Sequence, residues 1–487
     1  MNRHVLSMAV CFSLLAAVTA TTAFAHQVDP STPADDAQAP PDPDTVRSRP
    51  IPADGAGTGP TASDTAPAGD NSFARYLLGE GINLRGSLID QYAANPSGGV
   101  RQGGENVGQF NIGADLNLAR LIGLEGGSFH FTVYRDYGIS ENQVNTGTFT
   151  KQQYIYKNPF PALHLGLFAY EQKLLDDKLD ILLGRLGTTT FYGHLATNCR
   201  FVSGTLCGEP RIIVSEAGFS LLPSATWGTN IKFRPTPHTY VESGIFEVNP
   251  TTSASNGIHF STADATGFTV PVELAWIDTN STTTRYPFEL KTGAFVSTAP
   301  LTDPYYNTKG LSRGLHGGTA RPEDTDRKGV YVMGDRAIWR PDPGSRQSIS
   351  VFAGIVQQME QAEIARQQAY TGFVWTAPFK HRAQDTFAVS IAEFELTPGE
   401  RAYLNDARIK AGGSGTTSAH QIDYEATYTL HLVRGVELMP SLQYIIHPDN
   451  STLPNTPFVP KNLFVYAIGL RMDLGYIAGF PKTESTD

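Results

Sequence analysis

Between Val107 and Leu121 the chain reads VGQFNIGADLNLARL, where Phe110, Ile112, Ala114, Leu116 and Leu118 alternate with Gln109, Asn111, Gly113, Asp115 and Asn117. A two-residue period puts the apolar groups on one side of an extended chain and the polar groups on the other, so the run predicts a β-strand with two chemically different faces. The scheme returns near the other end. Ile422, Tyr424, Ala426, Tyr428, Leu430 and Leu432 oppose Asp423, Glu425, Thr427, Thr429 and His431. Val436, Leu438, Leu442, Tyr444 and Ile446 then oppose Glu437, Ser441 and Gln443, and Phe464, Tyr466, Ile468, Leu470, Met472 and Leu474 oppose Gly469, Arg471 and Asp473. Shorter runs of the same kind are TNIKFRP, YPFELKTGAFVS, GVYVMGD, SISVFAGIVQ and TFAVSIAEFEL, separated by Gly, Pro and Asn clusters as turns require. Within Leu163 to Arg185, LLDDKLDILL fits a helical period about as well as a hairpin turning at Asp176-Asp177; we read it as strands.

Two architectures suit many alternating strands in one chain. A soluble sandwich or barrel turns the apolar face inward. A transmembrane barrel inverts this, with apolar groups toward lipid and polar groups toward a wet lumen. Strand length favours the second, because the best runs reach the roughly 9 to 11 residues that a bilayer requires, whereas soluble strands usually span about 5 to 6. Aromatics fall toward strand ends at Tyr134, Tyr137, Tyr444, Phe464 and Tyr476, as interface girdles would. Trp227 and Trp375 fit a girdle better than a stacking platform in the lumen.

Residues 1–25 predict a cleaved secretory signal: Arg3 supplies charge, Val5 to Ala20 is mostly apolar, and Ala23-Phe24-Ala25 is a small-x-small cleavage site. Residues 26–72 are almost all Pro, Ala, Asp, Thr and Gly, which predicts a disordered leader because so few large apolar groups cannot offset the entropy of ordering. The folded domain is expected over residues 73–487. After cleavage two cysteines remain, Cys199 and Cys207, in CRFVSGTLCGEP. Export and short spacing predict a disulfide closing a small loop. A zinc site would need further Cys or His ligands, and His194 alone does not complete a set. No metal or other cofactor is expected. The net charge of −10 argues against nucleic acid, whose binders usually carry a basic patch.

Several segments carry more than a pattern. LNLARLIGLEGGSFHFTVYRDYG (116–138), LGRLGTTTFYGHLATNCRFVSGTLCGEP (183–210), LLPSATWGTNIKFRPTPHTYVESGIFEVNP (221–250) and YEATYTLHLVRGVELMPSLQYIIHPDN (424–450) resemble the carbohydrate-selective porins of the OprB family. The likeness runs from about Phe73 to Tyr476. Cys199 with Phe201, then Cys207-Gly208-Glu209-Pro210, Trp227-Gly228, Glu247-Val248-Asn249-Pro250 and Leu442-Gln443-Tyr444-Ile445 fall in family order. The resemblance implies an all-β fold, a transmembrane antiparallel barrel of about sixteen strands in a Gram-negative outer membrane, passing sugars inward by diffusion. The partners implied are monosaccharide or small-oligosaccharide solutes, outer-membrane lipids and the barrel-assembly machinery, with monomer and homotrimer both open. In one departure, Tyr476 is followed by IAGFPKTESTD instead of ending the chain as a terminal aromatic.

A porin needs a hydrated hole with a selective narrowing and no catalytic group. The polar faces of the strands offer Arg185, Lys232, Arg234, Lys291 and Arg471 as cationic pore-lining candidates, with Asp115, Glu289, Asp423, Glu425 and Asp473 opposite. The resemblance implies an arginine-rich constriction, and Arg185 and Arg471 lie in segments that carry it. Each of these charges could instead belong to a barrel-wall ion pair. The competing classes are a secreted β-rich carbohydrate-active enzyme and a sugar-binding module. No HExxH helix or P-loop is present, and with 47 acidic residues a pair of carboxylates carries little weight.

Overall fold

The computed structural model describes residues 71–155, 163–253, 256–279, 284–360 and 363–482. The signal segment and the leader, apart from its last two residues, lie outside the described residues. The alternating runs are strands. In chain order these are β1 (Ile82–Gly99), β2 (Gly103–Asn117), β3 (Gly127–Gly138), β4 (His164–Leu174), β5 (Leu179–Leu186), β6 (Thr226–Thr236), β7 (Thr239–Val248), β8 (Gly267–Asp278), β9 (Phe288–Ser297), β10 (Leu301–Asn307), β11 (Ala320–Glu323), β12 (Arg327–Trp339), β13 (Ser348–Gln358), β14 (Ala365–Thr376), β15 (Thr386–Leu396), β16 (His420–Val433), β17 (Val436–Ile446) and β18 (Lys461–Asp473). All but β10 and β11 form one closed antiparallel barrel of sixteen strands, in which β1 pairs with β18; β10 and β11 make a separate ribbon between β9 and β12. Closure leaves the barrel no unpaired edge.

Burial follows parity. Ile112, Leu183, Ile231, Leu274, Val332, Ile391, Leu442 and Ile468 are exposed on the outer face, while Asp115, Glu171, Asn230, Glu273, Gln368, Glu425 and Gln443 are buried inside. A soluble fold would show the reverse, so the inverted pattern of a membrane barrel holds. LLDDKLDILL is a hairpin: β4 and β5 pair, and Leu175, Asp176 and Asp177 turn between them at φ of 57°, 54° and 62°, a region that Asp tolerates. Where aromatics cross the interior wall, glycine makes room. A Cβ at Gly293 would lie 2.2 Å from Tyr331 Cζ on the paired strand.

The two ends differ. One carries short turns, such as 237–238 and 434–435, and the other carries long connections, the longest at 187–225. β18 ends at Asp473, whose Oδ1 accepts the Tyr476 N–H at 2.8 Å and caps a short helix, Leu474–Ile477. Asn71 Nδ2 donates to Ala478 O at 2.7 Å, so the segment beyond Tyr476 packs beside the first helix, Ser72–Gly79, at the short-turn end. Tyr137 and Tyr444 are exposed as girdle residues should be, but Tyr134 is 1% exposed and belongs to the interior cluster.

Candidate functional site in the barrel interior

The connection from β5 to β6, residues 187–225, folds back inside the barrel. Gly193, at φ +75°, reverses the chain where a Cβ would meet Ile213 Cδ1 at 2.5 Å. Past Pro210 the loop forms a short helix, Arg211–Glu216. Its apolar side chains, among them Phe191, Tyr192, Phe201, Ile212 and Phe219, pack against inward-facing Phe246, Phe295, Tyr331, Phe352 and Phe394 of the β7 to β15 wall. Part of the interior is therefore an apolar wedge, which the alternation of the strands did not predict. Buried apolar area of this kind stabilises the packing of the loop by about 25 cal/mol per Å².

Wall carboxylates then fix its backbone. Glu273 Oε2 accepts the Gly193 N–H at 2.9 Å, Glu289 Oε1 accepts the Ala196 N–H at 2.9 Å, and Glu425 Oε1 accepts the Val202 N–H at 2.8 Å. Glu425 also receives the Ser203 N–H at 3.3 Å, the Ser203 hydroxyl at 2.5 Å and the hydroxyls of Thr427 and Ser441. Asp423 Oδ2 accepts from Thr205 Oγ1 at 3.1 Å, and Lys291 Nζ donates to His194 O at 2.6 Å. From the β18 side, Arg471 donates to Cys199 O at 2.9 Å and to Cys207 Sγ at 3.1 Å, and from β1 Gln91 donates to Val202 O at 3.1 Å. The loop thus spans the interior from β8 to β18 and β1. Charge-assisted bonds to backbone N–H groups are the stronger kind, so this loop is a fixed constriction.

Five of the ten pore-lining candidates, Lys291, Arg471, Glu289, Asp423 and Glu425, are therefore brought together by the loop they hold. The others are placed differently. Lys232 pairs with Glu242 at 2.8 Å beneath the Tyr240 ring, and Arg234 lies 3.8 Å from Asp180 near the short-turn end. Asp115 joins a wall network with Arg85 at 2.7 Å and His130 at 2.9 Å. Asp473 caps the final helix. Arg185 is a correction: it shares the parity of exposed Leu183 and pairs in register with Trp227 and Phe168, so it lies on the outer face and not in the lumen. It is buried there because Trp227 and Phe260 cover it at 5.9 and 5.8 Å, while it donates to Ala225 O at 2.7 Å. Trp375, next to Ile349 and Phe387 in register, also has outer parity.

The expected disulfide is not formed in this structure. Cys199 and Cys207 are thiols with sulfurs 3.4 Å apart, against about 2.05 Å for a bond. Both sulfurs instead act as acceptors, Cys199 Sγ from the Gly208 N–H at 3.1 Å and Cys207 Sγ from Arg471.

The loop leaves free space around much of the barrel mouth, from β1–β3 to β12–β18. A cavity of about 730 Å³ lies at the short-turn end between the loop, at Ala196, Thr197 and Arg200, and a wall that includes Arg85, Ser87, Asn111, Tyr134 and Arg471. A slot of about 30 Å³ follows between Gln109 and Asp136 on that wall and Gly204, Cys207 and Glu209 of the loop. The Gln109–Asp136 pair lies two residues along the same two strands from the Asn111–Tyr134 pair, so the slot continues the line of the cavity. Arg85, Arg200 and Gln91 had no distinguishing sequence signal. Their role follows only from where the loop crosses.

At the long-loop end, Arg327 Nη1 reaches Glu363 Oε1 at 2.5 Å and Glu216 O at 3.1 Å, and Nη2 reaches Pro300 O at 3.1 Å, which ties the loop helix to two connections. Burial pushes the Glu363 carboxyl up to about 10, the Glu216 carboxyl beside it adds to the rise, and Arg327 opposes it. A carboxyl raised in the folded state stabilises the packing fully below its ordinary value and loses that contribution as pH rises through the raised one. Hydrogen exchange in residues 211–217 should therefore quicken, beyond the intrinsic rate, between about pH 5 and about pH 10. Glu363→Gln should flatten that dependence, and an unchanged slope in this variant would remove Glu363 from the account.

A family model for carbohydrate-selective porins of the OprB family matches residues 101–474. Porin B of Pseudomonas aeruginosa (strain PAO1) is 24% identical over 396 residues, covering 76% of this chain and 84% of that protein. The high-pH structure of Pseudomonas putida OprB is similar in fold, with a TM-score of 0.72 at 21% identity over 82% of this chain and 96% of that one.

Proposed function

As this chain belongs to the carbohydrate-selective porins of the OprB family, and is accordingly a channel and not an enzyme, we propose that it lets small sugars diffuse passively across the outer membrane into the periplasm. Monosaccharides or small oligosaccharides are the solutes this reading assigns. The apolar outer face suits outer-membrane lipid, which an exported chain reaches through the barrel-assembly machinery. The short-turn end would then face the periplasm and the long connections the exterior.

The observation that carries this reading is the polar lining of the space left beside the loop. Its wall offers hydroxyl, amide and guanidinium groups at Ser87, Asn111, Gln109, Arg85 and Arg471, which can exchange hydrogen bonds with a sugar as it sheds water. No single group need bind tightly, since conduction requires release as well as entry.

Liposome swelling and planar-bilayer recording test it together. Purified protein should admit monosaccharides faster than disaccharides of similar chemistry, and a permeant monosaccharide should reduce the ion current reversibly. Swelling that depends on solute size alone, with no current block by any sugar, would mark a general pore and sink the selective reading.

A further inference from the structure

The cavity at the short-turn end carries charge of the opposite sign to the chain. The protein has a formal net charge of −10. Yet the cavity is lined by seven arginines and lysines against three carboxylates, Asp335, Glu437 and Asp473, and with Asp115 paired to Arg85 behind the wall the excess is three positive charges. This is a local concentration of positive charge in an acidic protein, so average composition does not account for it.

Two of the guanidinium groups are aimed by neutral acceptors. Arg340 donates to Ser345 O at 2.7 Å and Thr284 O at 3.3 Å, and Arg434 donates to Tyr476 O at 3.0 Å while lying 4.0 Å over that ring. Arg471 is held by Cys199 O and Cys207 Sγ. The carbonyls orient Arg340 and Arg434 without neutralising them, and five donors on each leave several for a solute. Arg340 is only 6% exposed, so its charge is partly desolvated and gains from an anion nearby.

On the premise that the chain conducts sugars, we propose that this cavity is a recognition site for carboxylated monosaccharides, the aldonates and uronates, which it takes in preference to their neutral counterparts. A guanidinium matches a carboxylate in a two-bond fork that it cannot form with a single hydroxyl. Ser87, Asn111 and Gln384 supply partners for the remaining hydroxyls, and the Tyr476 ring offers a face to the sugar C–H surface. The volume of about 730 Å³ falls in the range of about 300–1,000 Å³ typical of small-molecule sites. An excess of one sign of charge in a cleft raises the local concentration of its counter-ions, by about tenfold at the low end of such effects.

The test is block of ion current through the full-length protein in planar bilayers, with potassium glucuronate and glucose as the two probes. In about 0.1 M KCl, glucuronate should half-block the current at roughly one-tenth of the glucose concentration. Near 1 M KCl, where the screening length shrinks to about 3 Å, the difference should collapse. The zero-current potential in a KCl gradient should have the sign of chloride selectivity. Arg346→Gln together with Arg434→Gln should lower the glucuronate-to-glucose ratio. Arg346→Glu alone, at an exposed turn residue, gives the same readout if the double variant does not assemble. Equal block by both probes, potassium selectivity, or a ratio unmoved by these variants overturns the proposal while leaving a sugar channel. A pore that conducts ions but that neither probe blocks overturns the porin reading itself.

Discussion

Replacing Glu425 by alanine is expected to leave an assembled barrel whose ion conductance rises several-fold and whose current is no longer reduced by sugars. The carboxylate receives the Val202 and Ser203 N–H groups and the Ser203, Thr427 and Ser441 hydroxyls. Removing it orphans buried donors at about 1–3 kcal/mol each, less whatever water recovers in the new space. The barrel wall loses none of its ladder, because β16 keeps its backbone pairing with β15 and β17. The cost therefore falls on the loop, which can leave the interior between Ala196 and Cys207 and take the constriction with it. Glu425→Gln should behave differently. It preserves one acceptor but sets an amide donor against a loop donor, so a smaller rise in conductance is expected. A heat-modifiable Glu425→Ala barrel with wild-type conductance and wild-type sugar block would show that this carboxylate does not position the constriction.

That role was only half legible in the sequence. Parity alone determines the environment of a strand residue, so the run from Ile422 to Thr429 placed Glu425 on the inner face correctly, and β4 and β5 emerged from an ambiguous segment once Asp176 and Asp177 were read as a turn. What parity cannot supply is the partner. Val202 meets Glu425 across 223 residues of sequence, and the connection that contains it has no period to read. Two residues are misplaced, one of them because of the loop. Tyr134 looked like an interface aromatic because the interior was expected to be wet, whereas a wedge of loop side chains makes an apolar site for it inside. Arg185 looked luminal because a charge on a lipid-facing parity is unexpected, and Trp227, Phe260 and the His259 carbonyl supply the cover. Local alternation encodes the wall; the contents of the barrel are encoded in contacts distant along the chain.

Because the wall is set by parity, a charge placed on its outer parity should have the largest effect on assembly. Val332 lies near the middle of β12, 47% exposed, opposite Ile355 and Thr292 on the neighbouring strands. An arginine there must bring its guanidinium into the hydrocarbon layer or distort the bilayer to reach water, at about 2–4 kcal/mol near the midplane. The loss is a large share of the about 5–15 kcal/mol by which folded proteins are stable, so Val332→Arg should appear mostly as unassembled, protease-sensitive chain in the membrane fraction. Val332→Leu should assemble as the wild type does, which excludes a purely steric cause. Ser350→Arg is the informative contrast. Ser350 is on the inner parity of β13 and lines the cavity of about 730 Å³, where a further guanidinium meets water and the carboxylates of Asp335 and Glu437. Urea unfolding from detergent or vesicles would read the two variants on one scale. Equal losses for Val332→Arg and Ser350→Arg would mean that both faces see the same medium, which no membrane-embedded barrel with a wet interior allows.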